Sequence, residues 1–176
     1  METVKGPDRT DEEELTRMVN QYQVGLKRLC FAYLRDKTLA EDAVQETFLK
    51  AYRSLSGFKG NASEKTWLSS IAINCCRDIR RSAWFRHVDL SVSLETLPEP
   101  KEQPTEYDTA LTLEVMRLPV RLREVILLYY FEQMTVFEIA ETLKISQSAV
   151  SNRLKRARTK LRKALGSEYE RGERHE

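Results

Sequence analysis

The chain has 176 residues, a formal net charge of +2 and 41% hydrophobic residues, enough for one ordinary domain or two small ones. Its 32% charged content and mean hydropathy of −0.53 exclude a disordered or membrane-embedded chain. No run approaches the roughly 20 apolar residues of a membrane span, and METVKGPDRTDEEE lacks the apolar core of a secretory signal, so a cytoplasmic address without membrane insertion is expected. Cys30, Cys75 and Cys76 form no CxxC pair and are expected as buried thiols of a reducing compartment.

Helical periodicity dominates and strand signals are nearly absent. Residues 1–10 look frayed. Leu15, Met18, Val19, Tyr22, Leu26, Leu29 and Tyr33 then recur at three- and four-residue steps, as one face of a long helix does. A second helix is expected from Thr38, with Glu41 completing a capping box and an apolar stripe of Leu39, Ala43, Val44, Phe48, Ala51, Tyr52 and Leu55. After a polar loop, Ser56–Lys65, a third helix is expected near Thr66, carrying Trp67, Leu68, Ile71, Ala72 and Ile79. Together these form an all-α unit at 11–84. Residues 85–110 read as an acidic linker, because Pro98, Pro100 and Pro104 oppose a helix and the charge favours solvent.

The second unit, 111–166, opens with a short helix over Leu111–Leu118 that Pro119 stops. Val120–Phe131 is apolar on most sides and is expected to form the core. Thr135 and Glu138 make another capping box, Lys144–Ser146 a turn, and Ser146 a cap for a last helix running to about Leu165, with a tail at 167–176. Residues 135–157 therefore have helix-turn-helix proportions. Ile145, Val150 and Leu154 face inward, leaving Gln147, Ser148, Ser151, Asn152, Lys155 and Arg156 outward, where base edges can be read in a major groove. Arg153, Arg158, Lys160, Arg162 and Lys163 suit phosphates. From Lys144 to Lys163 there are eight basic residues and no acidic one, an asymmetry that points to a polyanion.

Three segments carry a resemblance. Ala40-Glu-Asp-Ala-Val-Gln-Glu-Thr-Phe-Leu-Lys-Ala-Tyr52, with Thr66-Trp-Leu-Ser-Ser-Ile-Ala-Ile-Asn-Cys-Cys-Arg-Asp-Ile-Arg-Arg81, closely resembles region 2 of bacterial RNA polymerase sigma factors of the extracytoplasmic-function (group IV) branch of the sigma-70 family. Leu118-Pro followed by Arg123-Glu-Val-Ile-Leu and the helix-turn-helix resembles region 4. The resemblance implies two small helical domains joined by a flexible linker, a region 2 bundle and a region 4 helix-turn-helix. It implies a factor that binds polymerase core and directs promoter-specific initiation by recognising −10 and −35 elements. Asp42, Gln45 and Glu46 would then dock on the β′ clamp helices, and the β flap would be a second contact on core. Asn61, Lys65, Asn74, Arg77 and Arg81 would capture the −10 strand, Asn74 reading a flipped base and Arg77, Arg80 and Arg81 holding backbone. The eight −35 residues would be Gln147, Ser148, Ser151, Asn152, Arg153, Lys155, Arg156 and Arg158. Trp67, in register with Ile71, is expected in the core, and Asp78 beside a neighbouring arginine. An anti-sigma factor is an implied partner.

An enzyme finds little support. His87 and His175 are the only histidines, with no metal-ligand cluster, no phosphate-cradling glycine loop and no nucleophile beside a base, so no cofactor is expected. The alternative is a conventional helix-turn-helix regulator that binds duplex DNA without polymerase core. A sensor domain has no use for the N-terminal motif pair, which argues against it. A pure interaction adaptor must ignore the cation-only stretch and ranks last.

Overall fold

The computed structural model describes residues 10–82 and 106–172. Among these residues the structure is helical, with no strand, and the chain divides into two compact units. The first holds α1 (Asp11–Leu34), α2 (Lys37–Ser54), a 3-10 turn (Leu55–Gly57) and α3 (Glu64–Arg81), each helix packed on the other two. The second holds α4 (Glu106–Arg117), α5 (Val120–Ile126) running into a π turn (Leu127–Phe131), α6 (Val136–Leu143) and α7 (Gln147–Gly172).

Helix starts follow local capping chemistry. Thr10 and Glu13 form a reciprocal box at α1 (2.9 and 3.3 Å), as Thr135 and Glu138 do at α6 (2.8 and 3.2 Å). Ser146 Oγ accepts from Ala149 N at 3.1 Å and caps α7. Two expected starts move. The cap of α2 is Asp36, whose carboxylate accepts from Leu39 N at 2.8 Å, so Thr38 already lies inside the helix. Arg35 closes α1 in a left-handed conformation (φ 60°) and turns the chain so that Asp36 is extended, the backbone that a cap needs. Likewise Ser63 caps α3, which begins at Glu64 rather than Thr66.

The core of the first unit is Met18, Leu26, Leu29, Cys30 and Tyr33 of α1, Leu39, Ala43, Val44, Phe48 and Ala51 of α2, and Leu68, Ala72, Ile73, Cys75 and Cys76 of α3. Tyr52, expected in the stripe, is 41% exposed, because α2 meets its neighbours along Ala43, Thr47 and Ala51 instead. All three cysteines are buried, and burial pushes the Cys75 and Cys76 thiols up, that of Cys76 also through its contact with Cys30.

In the second unit, α4 starts at Glu106, five residues inside the expected linker. No proline follows Pro104 until Pro119, and Glu106 and Asp108 suit the positive end of a helix. The rest of that linker, the residues up to 105, lies outside the described residues, as do residues 1–9 and 173–176. The buried Arg123 donates to the Met116 carbonyl near the end of α4, where helix carbonyls lack partners. Leu122, Val125, Ile126, Leu127 and Leu128 fill the core with Met134, Ile139, Leu143, Val150, Leu154 and Ala157. Tyr130 and Phe131 do not join it. The π turn, closed by Glu132 N to Leu127 O at 3.1 Å, carries them outward, where they are 51% and 50% exposed.

Candidate nucleic-acid interface

The C-terminal surface is built on the α6–turn–α7 corner. Lys144 is left-handed (φ 54°) and closes α6 with its N–H on Ala140 O, and Ile145 N follows onto the same carbonyl at 3.1 Å. Ala140, 5% exposed, is small where the two helices meet, and Val150 (0%), Leu154 (2%) and Ala157 (0%) seat α7. Opposite that seam, Gln147, Ser148, Ser151, Asn152, Lys155, Arg156 and Arg158 are all exposed. Small polar groups stand on the first two turns and cations on the third.

Arg153 differs from that set and corrects one expectation. Its Nη1 donates to Glu124 Oε1 at 2.9 Å, its side chain is 22% exposed, and that of Glu124 only 4%. A carboxylate this buried needs a cation, so Arg153 clamps α7 to α5 rather than standing out as a phosphate ligand. Arg158 remains exposed but is oriented. Its Nε donates to the Tyr130 hydroxyl at 2.7 Å, and its guanidinium carbon lies 5.5 Å from the ring centroids of Tyr129 and Tyr130. The Tyr130 contact was not foreseen, since it joins residues 28 apart.

The N-terminal unit offers two surfaces. On α2, Asp42 and Gln45 are exposed and Glu46 is half-buried, with its carboxylate 3.9 Å from Lys50 Nζ. Leu49 stands 52% exposed beside them. It borders a shallow groove between α1 and α2 whose floor includes Leu15, Val19, Val44 and Phe48. Leu49 was missed because it falls off the three- and four-residue stripe. A single exposed apolar residue is ordinary, and Leu49 gains meaning only from the apolar groove it borders.

The second surface is the outward side of α3 with the loop before it. The seam of α3 runs through Leu68, Ala72, Cys75 and Cys76, so Trp67 is not in the core as expected. It is half-buried and stacks on Phe58 of the loop, with centroids 4.5 Å apart and planes at 23°. At seven-residue steps Trp67, Asn74 and Arg81 share one side of the helix, with Asn74 half-buried and Arg81 exposed; Arg77, also half-buried, lies one turn from Asn74. Asn61 and Lys65 are exposed on the loop and first turn, and Gly60 takes a positive φ of 71° that a side chain would strain. Asp78 pairs at the surface with Arg81 (3.7 Å) and with Lys50 of α2 (3.6 Å). Arg80 is half-buried, and its charge adds to burial in lowering the pKa of Arg35.

The start of α3 is tied to α1. Glu64, 7% exposed, accepts from Arg17 Nη2 at 2.6 Å and from the Tyr22 hydroxyl at 3.1 Å. Arg17 also reaches Glu14 at 2.5 Å and Gln21 at 2.8 Å. Its pKa is raised, chiefly by Glu14 and then, against desolvation, by Glu64, and burial followed by Glu64 raises that of Tyr22. Among the described residues no cluster of three or more His, Cys, Asp or Glu is placed to hold a metal, and no helix is long and apolar enough to cross a membrane.

Comparison with known proteins matches each of the two helical units to a family model. Residues 18–86 match the family model for Sigma-70 region 2, and residues 115–163 match Sigma-70, region 4. The chain is 30% identical to the ECF RNA polymerase sigma factor SigW of Bacillus subtilis, over 92% of this chain and 94% of the relative. It is 29% identical to the RNA polymerase sigma-H factor of Pseudomonas aeruginosa, over 92% and 91%. Among solved structures, CnrH in complex with the cytosolic domain of CnrY superposes with a TM-score of 0.63 at 27% identity, covering 89% of this chain and 90% of that one. The sigma factor RpoE in complex with the anti-sigma factor NepR, from Bartonella quintana, gives 0.69 at 20% identity, covering 87% and 97%.

Proposed function

We infer the work of each surface from one premise: the chain belongs to the extracytoplasmic-function branch of the sigma-70 family, the factors that bind RNA polymerase core and direct promoter-specific initiation. The outward side of α3 captures the −10 element, with Asn74 reading an unstacked base through an amide that both donates and accepts. Arg77, Arg81, Lys65 and Asn61 hold the strand around it. The observation that carries this reading is the shared side of Trp67, Asn74 and Arg81 beside a loop whose Phe58 is stacked on Trp67. An aromatic pair next to a half-buried amide suits a base leaving its stack.

The outward side of α7 reads the −35 element as duplex. Ser148, Ser151, Asn152 and Gln147 lead into the groove, Lys155 and Arg156 reach base edges or phosphates behind them, and Arg158 holds a phosphate. Asp42, Gln45 and Glu46, with the apolar Leu49, form the contact with the β′ clamp helices, where rim charges steer association and set register. The exposed Tyr130, Phe131 and Phe137 of the second unit suit the β flap. An anti-sigma factor is a further partner, a reading supported by the solved complex of RpoE with the anti-sigma factor NepR. The factor works where polymerase works, in the cytoplasm, and needs no cofactor or chemistry of its own.

Reconstitution tests this. The purified chain added to polymerase core is expected to yield promoter-specific run-off transcripts. Binding to duplex DNA alone, with no affinity for core, would overturn it and restore a conventional helix-turn-helix regulator. Asn74→Ala is expected to lower open-complex formation while core binding stays intact; equal loss of both would mean a folding defect instead.

A further inference from the structure

The loop that precedes the tryptophan helix is held at both ends, and only one hold belongs to the side assigned to DNA. At its entrance Phe58 stacks on Trp67. At its exit Ser63 caps α3 and Glu64, the first residue of the helix, is buried at 7% exposure. The two oxygens of that carboxylate are taken by two side chains of α1, Oε1 by Arg17 at 2.6 Å and Oε2 by the Tyr22 hydroxyl at 3.1 Å. Arg17 is in turn fixed by Glu14 at 2.5 Å and by Gln21 at 2.8 Å. These contacts span 47 and 42 residues of sequence, so they set where the first turn of α3 sits on α1 rather than whether it is helical.

We propose that Arg17 and Tyr22 are positioning residues for −10 capture: through Glu64 they hold the exit of the loop and the first turn of α3 in the register that lets Trp67 and Asn74 meet an unpaired base. This rests on the reading of the α3 side given above. A planar guanidinium bridging two carboxylates is directional, and Lys in its place keeps the charge but loses the fork. With the Tyr22 hydroxyl on the second oxygen, the carboxylate is held on both sides. An exposed ion pair would contribute little and shape nothing; here the carboxylate is out of water and its loss of partners is felt by the backbone that carries it. Capture of a single base depends on the distance between the loop and the helix side, so a small displacement acts on opening before it acts on folding.

Holoenzyme assembled from polymerase core and the full chain provides the test, on a promoter mapped by 5′-end sequencing of its transcripts from genomic DNA. Three quantities are read: affinity for core, binding of a single-stranded oligonucleotide carrying the mapped non-template −10 sequence, and permanganate reactivity of −10 thymines. Tyr22→Phe, which removes one hydroxyl and leaves the ring, and Arg17→Ala are expected to lower strand capture and opening at least fivefold, with core affinity within twofold. Arg17→Lys is expected to recover part of the Arg17→Ala loss. Opening within twofold of the parent in both Tyr22→Phe and Arg17→Ala overturns the proposal, as does a parallel loss of core affinity and opening. Asn74→Ala in the same assay separates the two ideas. If it lowers capture while the α1 variants do not, the positioning role alone fails; if it too is silent, the −10 reading fails with it.

Discussion

The two units carry polar side chains of similar kind and hold them in opposite ways. On α7 the outward residues are exposed, and the helix is anchored from behind by an apolar seam and the Arg153–Glu124 pair. On α3 Asn74 and Arg77 are half-buried beside an aromatic stack while Lys65 and Arg81 stay exposed, and the loop next to them is pinned by a network from α1. The difference follows from what each meets. A duplex groove accepts a protruding helix, so protrusion suffices. A base taken out of its stack loses a few kcal/mol that only a shaped, partly desolvated site can offset.

The strongest way to break the comparison is to remove the anchor of α7. Arg153→Ala withdraws a partner from a carboxylate that is 4% exposed, and the second unit is expected to lose up to about 3 kcal/mol; Glu124→Ala, which leaves a part-exposed arginine, should cost less. Trp67 and Trp84, the only tryptophans, lie before α4, so in denaturant the tryptophan-emission transition should stay in place while the circular-dichroism transition splits. Movement of both together would show that the units are not independent.

A smaller effect separates the two kinds of reading. Arg156→Ala is expected to weaken −35 discrimination by roughly 1–3 kcal/mol if the side chain reaches a base edge bidentately. It should not change capture of a single-stranded −10 oligonucleotide, whereas Asn74→Ala should do the reverse. Competition binding with mutated −35 duplexes and with the oligonucleotide checks both arms.

Below these comes local capping. Thr135→Ala removes one side of the box that starts α6, which is expected to lower the stability of the second unit by about 1 kcal/mol. A shift in the denaturation midpoint measures it.

The smallest effect concerns pH and belongs to the first unit, which contains all three cysteines. Burial raises the Cys75 and Cys76 thiols above their ordinary value. A raised pKa contributes stability that is present below the unfolded thiol value and is lost as pH climbs toward the folded one. Between pH 7 and pH 10 the midpoint reported by tryptophan emission is therefore expected to fall. At pH 8 iodoacetamide should label the native thiols far more slowly than the unfolded ones, and comparable rates would contradict their burial.

Much of this molecule was legible because the signals are local. Helical class, the helix-turn-helix at 135–157, the Thr135–Glu138 box and the Ser146 cap all rest on relations within three or four residues, and the three motif segments carried the family. The exposed residues of α7 were placed for the same reason, since a seam of Val150, Leu154 and Ala157 dictates what lies opposite.

What the tertiary structure alone decided depends on partners far along the chain. Trp67 and Leu68 are adjacent and both apolar, and only the packing of α1 and α2 determines that Leu68 is buried while Trp67 turns outward onto Phe58. Arg153 reads as one more cation of a basic helix until Glu124, 29 residues earlier, is found beneath it. Glu64 reads as a surface acid until Arg17, 47 residues away, takes its oxygen. Periodicity settles most of the apolar seam of each helix, though not the aromatic residues at its border such as Trp67 and Tyr52. The choice of which charge stays in solvent, and which is withdrawn to hold two helices together, is made by the neighbour that folding brings, because a buried charge persists only where a partner meets it.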